Sequence, residues 1–155
     1  IDAFAERYRT ALDRLRKTTS DKIHTVFTVH SIPADSLVFG DPYADEYKKT
    51  VDALVERINP DRWYMAYQSQ GMIPVPWLGP TVENTLDKIA RLGAKTVLIV
   101  PVGFVSDHIE ILYDIDIAFK EYATSRKLVL HRTESMGVSP FFIEALAAVV
   151  WEHLV

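Results

Sequence analysis

The sequence predicts one α/β domain over residues 1–155: a four-stranded, mostly parallel sheet with helices on both faces. Three observations carry this expectation. A helical pattern is followed by four strand–helix pairs, and such alternation produces parallel strands joined by helical crossovers. The length of 155 residues is that of one domain of roughly 100–200 residues. Hydrophobic residues make up 48%, too many for a disordered tail and enough for a core.

Taken in order, Phe4, Tyr8, Ala11, Leu12 and Leu15 fall at helical spacing between charged residues, which marks an amphipathic helix. Ile23 to Val29, rich in Val, Ile, Thr and Phe, reads as a buried strand. It ends at His30-Ser31-Ile32-Pro33. Asp41-Pro42 supplies a cap followed by proline at the first helical position. Tyr47, Val51, Leu54, Val55 and Ile58 continue that helix, and Asn59-Pro60 closes it. Trp63 to Tyr67 is the second strand. A loop from Gln68 to Pro80 follows, long for such a connection, and loops of that length are usually functional or disordered. Its embedded Trp77 and Leu78 favour order. Thr81 caps the next helix, and Gly93 sits just past its end. Thr96 to Val100 is the third strand. Ser106 is placed to cap a long helix reaching about Thr124, Leu128 to Leu130 forms the fourth strand, and Ser139-Pro140 opens a last helix. That helix is apolar nearly all round, with Phe141, Leu146, Val150 and Trp151 on different sides. Such a helix must be covered, so a partner surface or a missing half of the protein is expected. Ile1 opens a helical pattern at once, without a charged-then-apolar leader. The chain reads as a processed product or a segment of a longer protein.

Composition narrows the function. Acids outnumber bases 21 to 17, for a net charge of −4, which argues against a nucleic-acid surface. No apolar run reaches the roughly 18 residues of a membrane span. The absence of cysteine excludes disulfides, thiolate catalysis, and zinc or iron–sulfur clusters held by cysteine; it suits a reducing cytosol. No glycine-rich phosphate loop, H-E-x-x-H or G-x-S-x-G occurs.

Ligands of open α/β sheets bind at the carboxyl ends of the strands. There lie His30 and Ser31, then Gln68, Ser69 and the Trp77 loop, then Ser106, Asp107, His108 and Glu110, then His131, Arg132 and Glu134. Asp107, Glu110 and Asp114, spaced three and four, share one face of the expected helix. Such a stripe is either a solvated surface or a path for a divalent metal or protons. A histidine at a strand end is more often structural than catalytic, and a loop tryptophan more often packs than walls a flat ligand; both alternatives stay open for His30 and Trp77.

His30-Ser31-Ile32-Pro33, Gly40-Asp41-Pro42-Tyr43, Tyr67-Gln68-Ser69, Pro76-Trp77-Leu78-Gly79-Pro80 and Val100 to Asp116 (VPVGFVSDHIEILYDID) occur in this order. With them the chain resembles the C-terminal half of the ferrochelatase family, closest to the soluble bacterial type that acts on coproporphyrin. The last stretch is highly specific. The resemblance implies a cytoplasmic lyase of heme biosynthesis that inserts Fe²⁺ into a porphyrin, coproporphyrin III first and protoporphyrin IX second. It implies that His30 binds the incoming metal or accepts pyrrole protons, that Glu110 is its acidic partner, and that Asp114 continues the metal or proton line. Ser31, Gln68, Trp77, Asp107 and His108 become substrate-binding residues. Iron is substrate, with no permanently bound cofactor and no iron–sulfur cluster. Partners would be porphyrin, iron, and a missing N-terminal half or second copy of the chain. Two departures stand out: Ala118 replaces an acid common in the family's line, and residues 132–138 match only loosely. The alternatives are a non-catalytic half-domain that binds metal or porphyrin or dimerises, and a chelatase of the sirohydrochlorin or cobalt type.

Overall fold

The computed structural model describes residues 1–154. Strands β1 (Ile23–His30), β2 (Arg62–Gln68), β3 (Thr96–Pro101) and β4 (Val129–Arg132) form one sheet in the order β2-β1-β3-β4. Every neighbouring pair is parallel, with His30 opposite Gln68 and Ile99 opposite Arg132. The predicted fold class is the one found.

Side chains alternate across a strand with period two, and the two core clusters follow that rule. Phe27, Val29, Leu98 and Val100 pack under α1 (Asp2–Arg16) and α3 (Tyr43–Ile58). Val26, Val97, Ile99 and Leu130 pack under α4 (Val82–Arg91) and the helical stretch after β3. Each large apolar side chain so buried contributes about 1.5–3 kcal/mol.

Local signals set the ends. Pro42, expected at the first helical position, is instead the cap residue of α3, and Asp41 Oδ1 just ahead of it accepts from the Tyr43 N–H at 2.9 Å. Asn59 closes α3 in the left-handed region at φ 45°. Thr81 Oγ1 accepts from Asn84 N at the start of α4. A short helix, α2 (Asp35–Val38), is too brief for periodicity to predict. The fourth strand begins one residue later than expected and runs on to Arg132.

The helix expected from Ser106 to about Thr124 requires correction. His108, not Ser106, occupies the cap position, and α5 covers only Ile109–Tyr113. A π-helical turn over Asp114–Phe119 follows, then α6 (Lys120–Ser125). The cause is in the core. Ile111, Ile115, Phe119 and Ala123 are all buried, a spacing of four. In an α-helix of 3.6 residues per turn, each such step drifts about 40° around the axis. A wider turn cancels part of that drift and keeps all four against the sheet.

The last helix, α7 (Pro140–Leu154), contacts α1. It has no buried residue, and Trp151 is 67% exposed. The apolar surface expected there is present and uncovered.

Candidate active site at the carboxyl ends of the strands

The strand order places a switch point between β1 and β3. From β1 the chain leaves toward β2 on one side; from β3 it leaves toward β4 on the other. The loops after these two strands therefore part and leave a crevice, the usual ligand site of such sheets. His30 ends β1, and Glu110 lies in the first turn after the β3 loop. Gly103 lets that loop cross close to β1. Its N–H donates to Thr28 O at 3.2 Å, and a Cβ there would stand 3.1 Å from Val29 Cα.

The two candidates meet. His30 Nε2 lies 3.1 Å from Glu110 Oε1, with side chains 38% and 42% exposed, so both are open to a ligand. The other ring nitrogen, Nδ1, faces the Ser31 carbonyl oxygen at 2.5 Å. A carbonyl only accepts, so Nδ1 carries the hydrogen. The neutral ring then presents its lone pair from Nε2, toward a carboxylate. Two lone pairs at that distance repel; the contact attracts only with a proton or cation between them. For a divalent transition ion with ligands at about 2.1 Å, two ligands at right angles stand about 3.0 Å apart. The pair suits either charge.

The His30 end is pinned through its backbone. Ser31 N donates to Gln68 O at 2.7 Å, and Ser31 Oγ, on a fully buried residue, donates to Leu78 O at 2.9 Å. Tyr43 Oη donates to His30 O at 2.9 Å.

The Glu110 end is held by charge. Asp107 lies before the helix, so the expected stripe of three acids on one face is not formed. Its carboxylate instead accepts from Arg132 Nη1 at 3.1 Å and from Ser135 Oγ at 2.5 Å. Arg132 also grips Asp116 in the π turn, at 3.0 Å, and thus spans the element bearing Glu110. Burial pushes the Asp116 carboxyl up, but hydrogen bonds from Arg132 and Lys120 outweigh it and hold it below its ordinary value.

Asp114 sits one turn beyond Glu110 and accepts a hydrogen bond from Ser69 Oγ. It lines a cavity of about 270 Å³ shared with Gln68, Ser69, Glu83 and Ala118. Gln68 is 2% exposed, and its Oε1 has no partner. Among the described residues, no three His, Asp or Glu side chains close on one point; His30 and Glu110 form a pair, with Asp114 set back. His108 packs its ring on Phe104, centroids 5.0 Å apart. Trp77 is half-buried; its Nε1 donates to Ile73 O, and its indole lies against Gly71. Through the Pro33–Trp77 bridge and the bond from Ala34 N to Pro76 O, its loop is stapled to the segment after His30.

Sequence reasoning missed the bracing roles of Arg132 and Tyr43. Arg132 was recognisable only as a residue at the correct rim, and Tyr43 only as the end of Gly40-Asp41-Pro42-Tyr43.

Comparisons with known proteins bear on the family and the fold. A family model described as Ferrochelatase matches residues 1–154. The ferrochelatase of Acidobacterium capsulatum is 39% identical over 160 residues, covering 94% of this chain and 49% of the relative. The coproporphyrin III ferrochelatase of Anoxybacillus flavithermus is 33% identical, over 99% of this chain and 49% of the relative. The chain thus spans about half the length of the curated relatives it matches. Among solved structures, a putative cobalamin (vitamin B12) biosynthesis CbiX protein from Marinobacter aquaeolei shares the fold, with a TM-score of 0.62 at 16% identity over 85% of this chain and 97% of that one. The chain belongs to the ferrochelatase family.

Proposed function

We propose that this chain forms one half of an enzyme that inserts Fe²⁺ into a porphyrin, coproporphyrin III, for heme biosynthesis in the cytoplasm. The observation that carries the reading is the contact between His30 Nε2 and Glu110 Oε1 at the switch point. Insertion replaces two pyrrole N–H hydrogens with bonds to the metal and releases two protons. His30, with Nδ1 already protonated, has Nε2 free to take one proton or to hold the ion before transfer; histidine does either near neutral pH. Glu110 balances the charge that results. One imidazole and one carboxylate bind Fe²⁺ weakly enough to release it. Asp114 and its cavity provide the next polar step outward. Trp77, Asp107 and His108 shape the rim beside the macrocycle; Ser31 and Gln68, expected to bind substrate, are 0% and 2% exposed and act from behind it, Ser31 by fixing the Leu78 loop. Iron is a substrate here, and the reaction calls for no resident cofactor.

Phe39, Met72 and Ile109, on segments at this end of the sheet, are each more than 80% exposed. They supply apolar surface at the end of the sheet where a porphyrin would bind. Coproporphyrin III is favoured because one relative carries that substrate in its name. The uncovered α7 favours association with the other half of a full-length enzyme or with a second copy of this chain. Among the described residues, no helix is long and apolar enough to cross a membrane.

The test is insertion by the chain alone and with the other half supplied, using coproporphyrin III, protoporphyrin IX and sirohydrochlorin side by side. His30→Ala should abolish insertion while porphyrin binding survives. Normal turnover in that variant overturns the assignment. Porphyrin or metal binding without turnover under all these conditions identifies a non-catalytic binding half instead.

A further inference from the structure

The structure assigns Tyr43 as the positioning residue that selects the tautomer of His30. The argument starts with the peptide joining His30 to Ser31, where both polar groups are fixed. Its N–H donates to Gln68 O at 2.7 Å, and its carbonyl accepts from Tyr43 Oη at 2.9 Å. With that peptide plane set, the next carbonyl, of Ser31, lies at 2.5 Å from His30 Nδ1. The Ser31 carbonyl is the group that keeps hydrogen on Nδ1 and the lone pair on Nε2, facing Glu110. Only one end of this chain of contacts is a side chain that mutation can remove cleanly, the Tyr43 hydroxyl.

The local sequence explains how Tyr43 reaches it. Asp41 Oδ1 accepts from the Tyr43 N–H just ahead of α3, and Pro42, the cap residue, has its φ held by its ring at −76°. The helix start is therefore fixed, and Tyr43 projects back over the end of β1. Burial raises the phenol's pKa, so it stays a neutral donor through the working range. Tyr47, one turn later, supplies the contrast. Its hydroxyl donates to Phe27 O at 2.6 Å, three residues before His30, and holds the core rather than the site.

This assignment rests on His30 being the working group, but its test needs no turnover. Ring ¹⁵N spectra of His30 would be recorded in this chain at alkaline pH, where the ring is neutral and its two tautomers have distinct shifts. Wild type should show the Nδ1–H form. In Tyr43→Phe the ratio of the Nδ1–H to the Nε2–H form should fall about fivefold, the effect of one net hydrogen bond. Tyr47→Phe should leave the ratio unchanged even if it lowers Tm more. In active full-length enzyme, Tyr43→Phe should lower kcat with KM for porphyrin preserved. An unchanged ratio in Tyr43→Phe, or an equal change in Tyr47→Phe, overturns the assignment. If Tyr43→Phe does not fold, a monofluorinated tyrosine at position 43, a stronger donor, should raise the Nδ1–H share when recorded at a pH where its phenol is still protonated and the imidazole is neutral; no rise overturns it equally. Should insertion fail in every assay while the ratio responds, the proposed function falls and this assignment stands.

Discussion

His30 and Glu110 face each other across 3.1 Å, yet the two arms that deliver them are built differently. The His30 arm is the end of a central strand, braced by neutral hydrogen bonds from Ser31, Tyr43 and the Leu78 loop. The Glu110 arm is a five-residue helix running into a π turn, tied down by Arg132 on Asp107 and Asp116 and by Ser69 on Asp114. Neutral bonds hardly respond to salt or acid, whereas exposed charge pairs do. One side of the site is thus set by the fold, and the other by electrostatics that solution conditions can loosen. If the proposed function holds, a site that takes up a metal ion and hands it on gains from that asymmetry.

The largest expected effect removes the charge that the tethered arm presents. Glu110→Gln keeps the shape but can neither take a proton nor balance one on His30. Porphyrin insertion should fall by about 100-fold or more, in the range of lost acid–base catalysis, with porphyrin binding retained; an insertion assay beside a fluorescence binding titration checks both. Near-normal insertion would mean that His30 works alone and that the two arms are not a functional pair.

Next comes the crossing point of the arms. A Cβ on Gly103 would lie 3.1 Å from Val29 Cα and Cγ1. Because one of those contacts is backbone, the loop must move rather than a side-chain tip. Gly103→Ala should destabilise by about 1–3 kcal/mol, the usual effect of overpacking, measured by urea unfolding. It should also part Glu110 from His30. Unchanged stability would show that the loop yields freely and does not set the gap.

Much of this is legible in the amino-acid sequence. The strands announce themselves through β-branched runs, and parallel topology then forces their carboxyl ends to one rim. That is why His30 and Glu110, 80 positions apart in the chain, were expected together. The helix after β3 departs from its expectation because the acids at 107, 110 and 114 share a face only on an ideal α-helix beginning near Ser106, whereas α5 starts at Ile109 and gives way to a π turn at Asp114. Its signal was in the apolar residues instead: Ile111, Ile115, Phe119 and Ala123 keep a spacing of four that 3.6 residues per turn does not satisfy. Arg132 and Tyr43 had no local signal, since their partners are fixed by tertiary packing.

Arg132 separates the arms most directly. Its side chain is 14% exposed, against 43% for Asp107 and 26% for Asp116, so solvent screens the pairs in part. Arg132→Met should therefore cost about 1–3 kcal/mol, below the 3–5 kcal/mol of a fully buried broken pair. The loss should be local. Amide exchange should accelerate over residues 107–119 and stay unchanged over β1. Equal acceleration in both segments would mean that the arms unfold as one unit.

Acid supplies the gentlest probe, and its sign follows from Asp116. Its folded pKa lies below the ordinary value because the bonds from Arg132 and Lys120 outweigh burial. A carboxyl shifted down stabilises the fold fully above its unfolded pKa of about 3.9. That contribution is lost as pH falls through the lower folded value. The Glu110 arm should hold from neutrality to about pH 5 and loosen only below about pH 4. The His30 arm should not follow, because Nδ1–H remains a donor to Ser31 O whether or not Nε2 is protonated. Amide exchange measured down the pH series, each site corrected for its intrinsic rate, should show residues 107–119 losing protection before 23–31, and Arg132→Met should remove the portion of this acid response that depends on the arginine. If the β1 segment loses protection first, the protonation that matters lies on the strand side, and the division between a fold-set arm and a charge-set arm is wrong.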